Sequence, residues 1–275
     1  MLLILIGVWI AWIIVVWSVQ HRIMFPTSMI DRSRVMDVAP DGVESIWIQG
    51  SGPPGVEAWF IPGKGVSTDT PGPVLVFAHG NGELIDDNLD LEWIAEMGTS
   101  VLLVEYRGYG RSSGSPSQYN IVRDTNNFMR MLKSRPEIDV ERIGYMGRSI
   151  GSGVLAQVAI DHPPAAMIMI VPPARLDTMA WRFGVPPFMV RSPFRTDIAV
   201  RDLDAPLLLL PRDKDEIIPS GHAEMIHANA PESTLITLRG QHNWLDDGDE
   251  SRREHEAIRS FLESNGVLLP IDDQP

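Results

Sequence analysis

The 275-residue chain contains no cysteine, and it carries 23 lysines and arginines against 36 aspartates and glutamates. Without cysteine the chain has no disulfide, no thiolate nucleophile and no cysteine-ligated zinc. The net charge of −13 argues against DNA or RNA as a partner, because phosphate backbones attract basic surfaces. These absences exclude cysteine chemistry and argue against a nucleic-acid-binding protein.

Charge is also missing from the N-terminus, where Leu2 to Val19 form a run of uncharged, mostly apolar residues. As a helix this run would be about 27 Å long, close to the ~30 Å hydrocarbon core of a bilayer. A cleaved signal peptide would have a basic start and a small-residue cleavage site, and neither pattern is present. We expect residues 1–24 to be a membrane anchor, 25–42 a linker and 43–275 the folded domain.

The arginines near the predicted anchor all follow it, at Arg22, Arg32 and Arg34. By the positive-inside rule this arrangement favours a cytoplasmic folded domain. A large domain can be translocated regardless of flanking charge, so both sides of the membrane stay open. We expect a single-pass membrane protein that is monomeric.

Strand and helix patterns alternate through the rest of the chain. The apolar runs predict strands at 43–50, 55–63, 73–80, 100–106, 142–147, 165–171, 205–211 and 233–238. The first two of these strands are expected to form an antiparallel hairpin. Continuous apolar strands separated by helices are typical of an α/β fold with a mostly parallel sheet covered on both faces. Ligands bind beyond the carboxyl ends of such strands, so functional residues are expected just after strands.

The segment GRSIG, Gly147–Gly151, follows one of these strands and precedes a helix. In the pattern G-x-S-x-G a serine occupies a tight strand-to-helix turn that presents its hydroxyl above the sheet. The free N–H groups of the following helix can stabilise an oxyanion. Ser149 could instead be an ordinary helix N-cap in a glycine-rich turn. Its position between a strand and a helix favours the nucleophile.

A serine nucleophile needs a histidine base and an acid that orients the histidine. Of the seven histidines, His242 is the one immediately after a late strand, in RGQHNW. Asp213 and Asp215 both follow the preceding strand, and the acid is expected before the histidine along the chain. Asp215 precedes an apolar pair and a proline that can hold the turn against the core. Asp213 lies between Arg212 and Lys214, which is typical of a solvated loop.

Two backbone N–H groups are expected to form an oxyanion hole. One belongs to Ile150, the residue after the nucleophile, and the other to Asn81 in HGNG, after the third strand. By itself HGNG is also an ordinary tight turn, because Asn-Gly favours turns. A hydroxyl, an imidazole and a carboxylate suffice for this chemistry, so no metal or organic cofactor is expected.

Residues 172–204 form the longest stretch without a clear strand or helix pattern, between two strands at the predicted ligand edge. A long insertion at such an edge is often a lid or a binding loop. Its large apolar side chains are expected either to line an acyl pocket or to pack the cap itself: Trp181, Phe183, Phe188, Met189 and Phe194.

The motifs HGNG, YRGYGRSSG, GRSIGSG, DKDEIIP and GQHN, in this order, resemble the α/β-hydrolase superfamily. The apolar N-terminus and QHRIMFP narrow the resemblance to a membrane-anchored branch of serine hydrolases that includes protein depalmitoylases and lysophospholipid lipases. The resemblance implies Ser149 as nucleophile, His242 as base and Asp215 as acid. It also implies Asn81 and Ile150 as oxyanion donors.

The chain departs from this pattern at Pro211-Arg212, where the branch usually has His-Gly before the acid loop. The departure keeps Asp213 open as the acid. The sequence predicts a membrane-anchored hydrolase that cleaves a carboxylic ester or thioester through an acyl-enzyme. Its substrate is expected to be a small molecule, a lipid or another acylated molecule. The alternatives are a membrane-tethered interaction protein without activity and a serine peptidase with the same triad.

Overall fold

The computed structural model describes residues 1–48, 55–181 and 185–269. The strands are β1 (Glu44–Ile48), β2 (Val56–Ile61), β3 (Gly72–Ala78), β4 (Ser100–Val104), β5 (Ile138–Arg148), β6 (Ala166–Ile170), β7 (Leu207–Leu210) and β8 (Ser233–Leu235). The α-helices are α1 (Leu2–Met24), α2 (Glu92–Glu96), α3 (Gln118–Lys133), α4 (Ile150–Val158), α5 (Leu176–Ala180), α6 (Thr196–Ala199), α7 (Gly221–Asn229) and α8 (Gly248–Ser264). Short 3₁₀ helices occupy Thr27–Met29, Arg32–Arg34, Ile85–Leu91 and Pro187–Met189.

The described strands form one sheet in the order β1-β2-β4-β3-β5-β6-β7-β8. β2 pairs antiparallel with β1 and β4, and the other neighbours pair in parallel. The predicted hairpin is therefore β1–β2, and the turn predicted between its strands, SGPP at 51–54, lies outside the described residues. A mostly parallel sheet with helices confirms the predicted α/β class.

Apolar residues cover both faces of the sheet, which explains why its parallel strands are continuously apolar. Alternate residues of β3 divide between the two faces, because successive strand side chains point to opposite sides. Val74 and Val76 pack in the same core as Ile121 and Phe128 of α3, and also with apolar residues of α4. The next β3 side chain, Leu75, packs in a second core with residues of α2 and α8.

The sheet register places the proposed functional loops at one edge. β3 and β5 are parallel neighbours, with Ala78 opposite Gly147, so HGNG and GRSIG emerge side by side. β7 and β8 also run parallel to them, and the segments that contain Asp215 and His242 follow these strands. The carboxyl ends of four parallel strands therefore bring together loops that are far apart in sequence.

The N-terminal helix α1 has 23 residues. Its most apolar window of 18 residues has a mean hydropathy of 2.7, and 6% of this window is buried. It is long and apolar enough to cross a membrane, and a signal sequence would pass the same test. Directly after it, Phe25 is buried in the core beside α3.

The described part of the predicted cap, 172–204, contains α5, a 3₁₀ turn and α6.

Candidate active site

Ser149 lies at the junction of β5 and α4 with a backbone φ of 51°. A non-glycine residue in this region of φ/ψ space is strained by about 1–3 kcal/mol and is held there by its surroundings. The side chain makes no capping hydrogen bond to the helix that it precedes. Instead Ser149 Oγ lies 3.1 Å from His242 Nε2. The hydroxyl is thus directed at an imidazole rather than at its own helix.

The glycines around Ser149 allow two close backbone approaches. A Cβ on Gly147 would lie 2.5 Å from the backbone nitrogen of Ser152, in the first turn of α4. A Cβ on Gly151 would lie 2.0 Å from the carbonyl oxygen of Ala78, at the end of β3. Neither distance is tolerated by real side chains, so both positions require glycine. The helix can therefore begin directly against the β3 loop.

We expect Gly151→Ala to destabilise the protein by about 1–3 kcal/mol, because the added methyl group overlaps the backbone at Ala78. It should also lower any hydrolytic activity, since Ala78 leads into the HGNG loop. Gly221→Ala is the matched control, because a Cβ there meets no atom within 4 Å. Thermal melts of both variants measure the difference. Equal melting temperatures would contradict the close packing at this junction.

His242 and Asp215 form the second contact of the site. Asp215 Oδ2 lies 2.7 Å from His242 Nδ1, and both residues are buried. The other carboxylate oxygen of Asp215 accepts hydrogen bonds from the N–H groups of Ile217 and Ile218, at 2.9 and 2.7 Å. Burial by itself would raise the pKa of Asp215, but the His242 contact and these N–H groups lower it below its ordinary value. The carboxylate is therefore ionised at neutral pH and able to orient the imidazole.

Asp213, the alternative acid, is placed differently. It is exposed, and its Oδ1 accepts a hydrogen bond from the N–H of Gly240 at 2.9 Å. Arg212, which stands where the resembling branch has glycine, is buried and reaches Glu254 on α8 at 2.6 Å. The side chain of Arg212 thus extends toward α8, and the structure brings Asp215, not Asp213, to His242.

Asn81 and Ile150, the expected oxyanion donors, line the same cavity as Ser149. Ile150 is the first residue of α4, so its N–H has no acceptor within the helix. Within the described part of the chain, neither N–H donates a hydrogen bond to another residue. Both groups are available to a developing negative charge beside Ser149.

Buried polar residues that the sequence analysis missed hold the HGNG loop. His79 Nε2 lies 2.7 Å from Glu105 Oε1, and His79 Nδ1 lies 2.7 Å from the Gly80 carbonyl oxygen. Burial lowers the pKa of His79, but Glu105, the Gly80 carbonyl and Glu83 together raise the pKa above its ordinary value. The Tyr109 hydroxyl donates to the Asn81 side chain at 2.9 Å. The only sequence signal for this contact was Glu105, an acidic residue directly after an apolar strand. The sequence did not show that its partner is His79.

A second set of contacts links this loop to the histidine loop. Glu83 accepts a hydrogen bond from the N–H of Gly80 at 2.9 Å and forms an ion pair with Arg148 at 2.8 Å. Arg148 also donates to the His242 carbonyl oxygen at 3.4 Å. Arg148 is the variable residue before the serine in G-x-S-x-G, so the motif itself did not indicate this role.

A cavity of about 1060 Å³ opens above Ser149 and His242. Cap residues that line it are Pro173, Leu176, Met179, Ala180, Val185 and Val190. These are not the side chains expected from the sequence. Trp181 and Phe188 are exposed and lie outside the lining, Met189 is not part of the lining either, and Phe183 lies outside the described residues. Phe194 is buried in the core beside α4.

Trp181, Phe188 and Met189 therefore lie outside this lining, and a role of Phe183 in substrate binding stays a prediction. Among the described residues no group of three or more histidines and carboxylates could hold a metal ion.

The chain is similar to a known hydrolase family and to several known proteins. The model of the family described as serine aminopeptidase, S33, matches residues 69–198. WAV2 from Arabidopsis thaliana, an α/β hydrolase domain-containing protein, is 27% identical over 274 residues, covering 88% of each chain. YfhR from Escherichia coli is 26% identical over 196 residues, which cover 68% of this chain and 69% of YfhR.

Solved structures show the same fold at low identity. Esterase 2 of Thermogutta terrifontis has a TM-score of 0.68 at 16% identity, covering 85% of this chain and 98% of the esterase. Dipeptidyl peptidase 4 of Porphyromonas gingivalis has a TM-score of 0.66 at 18% identity, covering 81% of this chain and 35% of the peptidase. The chain therefore has the α/β-hydrolase fold. As the motifs predicted, the chain is similar to proteins of the α/β-hydrolase superfamily, and the comparisons support a hydrolase.

Proposed function

We propose that the protein is a serine hydrolase that cleaves a carboxylic ester or thioester, with Ser149 as nucleophile, His242 as base and Asp215 as the orienting acid. One observation carries the proposal. A strained serine on a strand-to-helix turn lies 3.1 Å from an imidazole whose other nitrogen lies 2.7 Å from a buried carboxylate. This is the geometry that activates a hydroxyl at neutral pH.

In the acylation step, Ser149 Oγ forms a bond to the acyl carbon while its proton moves to His242 Nε2. The carbonyl oxygen becomes an oxyanion, which the N–H groups of Asn81 and Ile150 stabilise. The bond from the acyl carbon to the leaving oxygen or sulfur then breaks, and His242 gives its proton to that atom. The acyl group stays on Ser149. Asp215 stabilises the imidazolium throughout.

Deacylation repeats these steps with water as the nucleophile. His242 takes a proton from the water as its oxygen bonds to the acyl carbon. The bond to Ser149 Oγ then breaks, and His242 returns the proton to the serine oxygen. The products are a carboxylic acid and the free enzyme, so atoms and protons balance without a metal or an organic cofactor.

Peptide-bond cleavage is the second candidate, because the matched family is described as serine aminopeptidase and one similar fold belongs to a dipeptidyl peptidase. Assay of p-nitrophenyl esters beside aminoacyl-p-nitroanilides separates the two. We expect the ester to be hydrolysed with the higher kcat/KM, because the cavity is lined by aliphatic side chains of the cap. A higher kcat/KM for the anilide would favour the peptidase. Turnover of neither substrate would favour a non-catalytic interaction protein.

We also propose that α1 anchors the protein in a membrane as a single pass. The helix is uncharged and mostly apolar from Leu2 to Val19, and most of its surface is exposed, which suits contact with lipid. The proposal predicts that the intact chain stays with membranes after an alkaline carbonate wash. Recovery of a shortened chain without α1 in the soluble fraction would instead identify the helix as a cleaved signal sequence.

A further inference from the structure

The helix α1 borders the cavity that contains Ser149. Its cavity-lining residues lie on one side of its C-terminal half: Trp12, Val16, Gln20, Ile23 and Met24. Positions 12, 16, 20 and 23 or 24 recur with helical spacing, so they form a continuous stripe. The most apolar window of the helix is otherwise almost entirely exposed. One stripe of the predicted anchor therefore belongs to the site, and the remainder is free to contact lipid.

Specific contacts hold this stripe in place. Gln20 Nε2 donates to the carbonyl oxygen of Met189 at 3.3 Å, and Gln20 Oε1 accepts from the N–H of Arg191 at 2.8 Å. The Arg191 guanidinium lies 5.1 Å from the centre of the Trp17 ring. These contacts join the cap segment 189–191 to α1 above the nucleophile. A helix that only tethered the domain would not need them.

The cavity is lined by both apolar and charged side chains. Its apolar lining comes from α1, the cap and the pair Ile217 and Ile218. Its charged lining comes from the segment after β3, the end of β5 and the segment after α1, at Arg34, Glu83, Asp87, Asp90 and Arg148. A lining with both apolar and charged side chains suits an amphiphile, which has a hydrocarbon chain and a polar leaving group.

We propose that α1 is the acyl-binding wall of the site, and that the substrate is a long-chain acyl ester or thioester with a polar leaving group that enters from the bilayer along this helix. The proposal rests on the proposed hydrolase function. The acyl chain lies against Val16 and the cap, and its carbonyl carbon reaches Ser149. Trp244, which lines the cavity two residues after His242 and is exposed, would suit the membrane interface on this proposal, because tryptophan is favoured there.

Adjacent valines of α1 provide a matched test. Val16 lines the cavity and is half-buried, whereas Val15 is 53% exposed and lies outside the lining. We expect Val16→Trp to lower the ratio of kcat/KM for p-nitrophenyl palmitate to that for p-nitrophenyl butyrate by about tenfold or more, because the indole occupies the chain's path. Val15→Trp adds the same ring on the lipid side and should leave the ratio unchanged. Both are assayed as full-length protein in lipid nanodiscs.

The outcomes separate the two proposals. Equal ratios for both variants and the wild type would overturn α1 as the acyl wall while leaving the hydrolase intact. If the wild type hydrolysed neither ester and did not react with a fluorophosphonate, the proposed function would fail, and the acyl wall with it. Fluorophosphonate labelling of each variant reports whether its site has folded.

A second measurement does not depend on turnover by a variant. The chain has no cysteine, so Val16→Cys or Val15→Cys introduces a single thiol. Prior reaction of Ser149 with hexadecyl fluorophosphonate should slow maleimide labelling of the Val16→Cys protein severalfold. Ethyl fluorophosphonate should not slow it, and neither reagent should protect the Val15→Cys protein. Equal labelling rates after the long and short reagents would show that the chain does not lie against α1.

Discussion

Replacing Ser149 by alanine is expected to abolish ester hydrolysis almost completely, with a loss in kcat of several orders of magnitude, toward about 10⁶-fold. The expected loss is this large because serine, histidine and acid act as one unit, and the histidine has nothing to activate once the hydroxyl is gone. The fold should persist, since Ser149 makes no capping hydrogen bond to α4. Initial rates on a soluble p-nitrophenyl ester and fluorophosphonate labelling measure the effect.

Ser152 on the same turn is the control for this experiment. Its hydroxyl donates to the Gly147 carbonyl oxygen at 2.8 Å, and the residue is fully buried. Ser152→Ala should cost about 1 kcal/mol of stability through the lost hydrogen bond, but the protein should still react with the fluorophosphonate. Labelling of Ser149→Ala at the strength of the wild type would refute the assignment of the nucleophile.

Replacing Asp215 by asparagine should lower kcat by about 10²–10⁴-fold while leaving the fold intact. The amide is close to the carboxylate in shape, but it carries no charge to stabilise the imidazolium and can favour the wrong tautomer of His242. Far-ultraviolet circular dichroism and kcat on the same soluble ester are the measurements. A loss confined to KM would indicate that Asp215 affects substrate binding rather than the imidazole.

Asp213→Asn is the matched control, two residues upstream in the same loop. The asparagine keeps an oxygen for the Gly240 N–H, so kcat should fall by less than about tenfold. The reverse ranking of the two variants would mean that Asp213 is the functional acid and that the Pro211-Arg212 departure has moved the role upstream.

Much of the fold could be predicted because its signals are local. The buried strands are continuous apolar runs, and each of the eight predicted runs overlaps a strand of the structure. GRSIG is a local signal too, since the strand before it, the helix after it and its glycines are contiguous in the chain. His242 was found by its position after a late strand, a rule that follows from the topology of parallel sheets.

Other parts of the site depend on pairings that sequence patterns do not encode. Glu105 contacts His79 across two neighbouring strands, and Arg148 joins the HGNG loop to the histidine loop. In the cap, Trp181 and Phe188 lie outside the cavity lining, whereas Leu176, Met179 and Val185 belong to it. The sequence showed a long cap segment with large apolar side chains, but it could not show which of these side chains line the cavity.

By itself the sequence determined the class of fold, the strand-to-helix serine turn, the histidine and the apolar N-terminal helix. Each of these depends on residues that are neighbours along the chain. Only the tertiary structure decided that Asp215 rather than Asp213 meets His242, because both aspartates follow the same strand and only the path of the turn distinguishes them. It likewise decided that one stripe of α1 lines the cavity, since an anchor and a cavity wall have the same apolar composition and differ only in what packs against them.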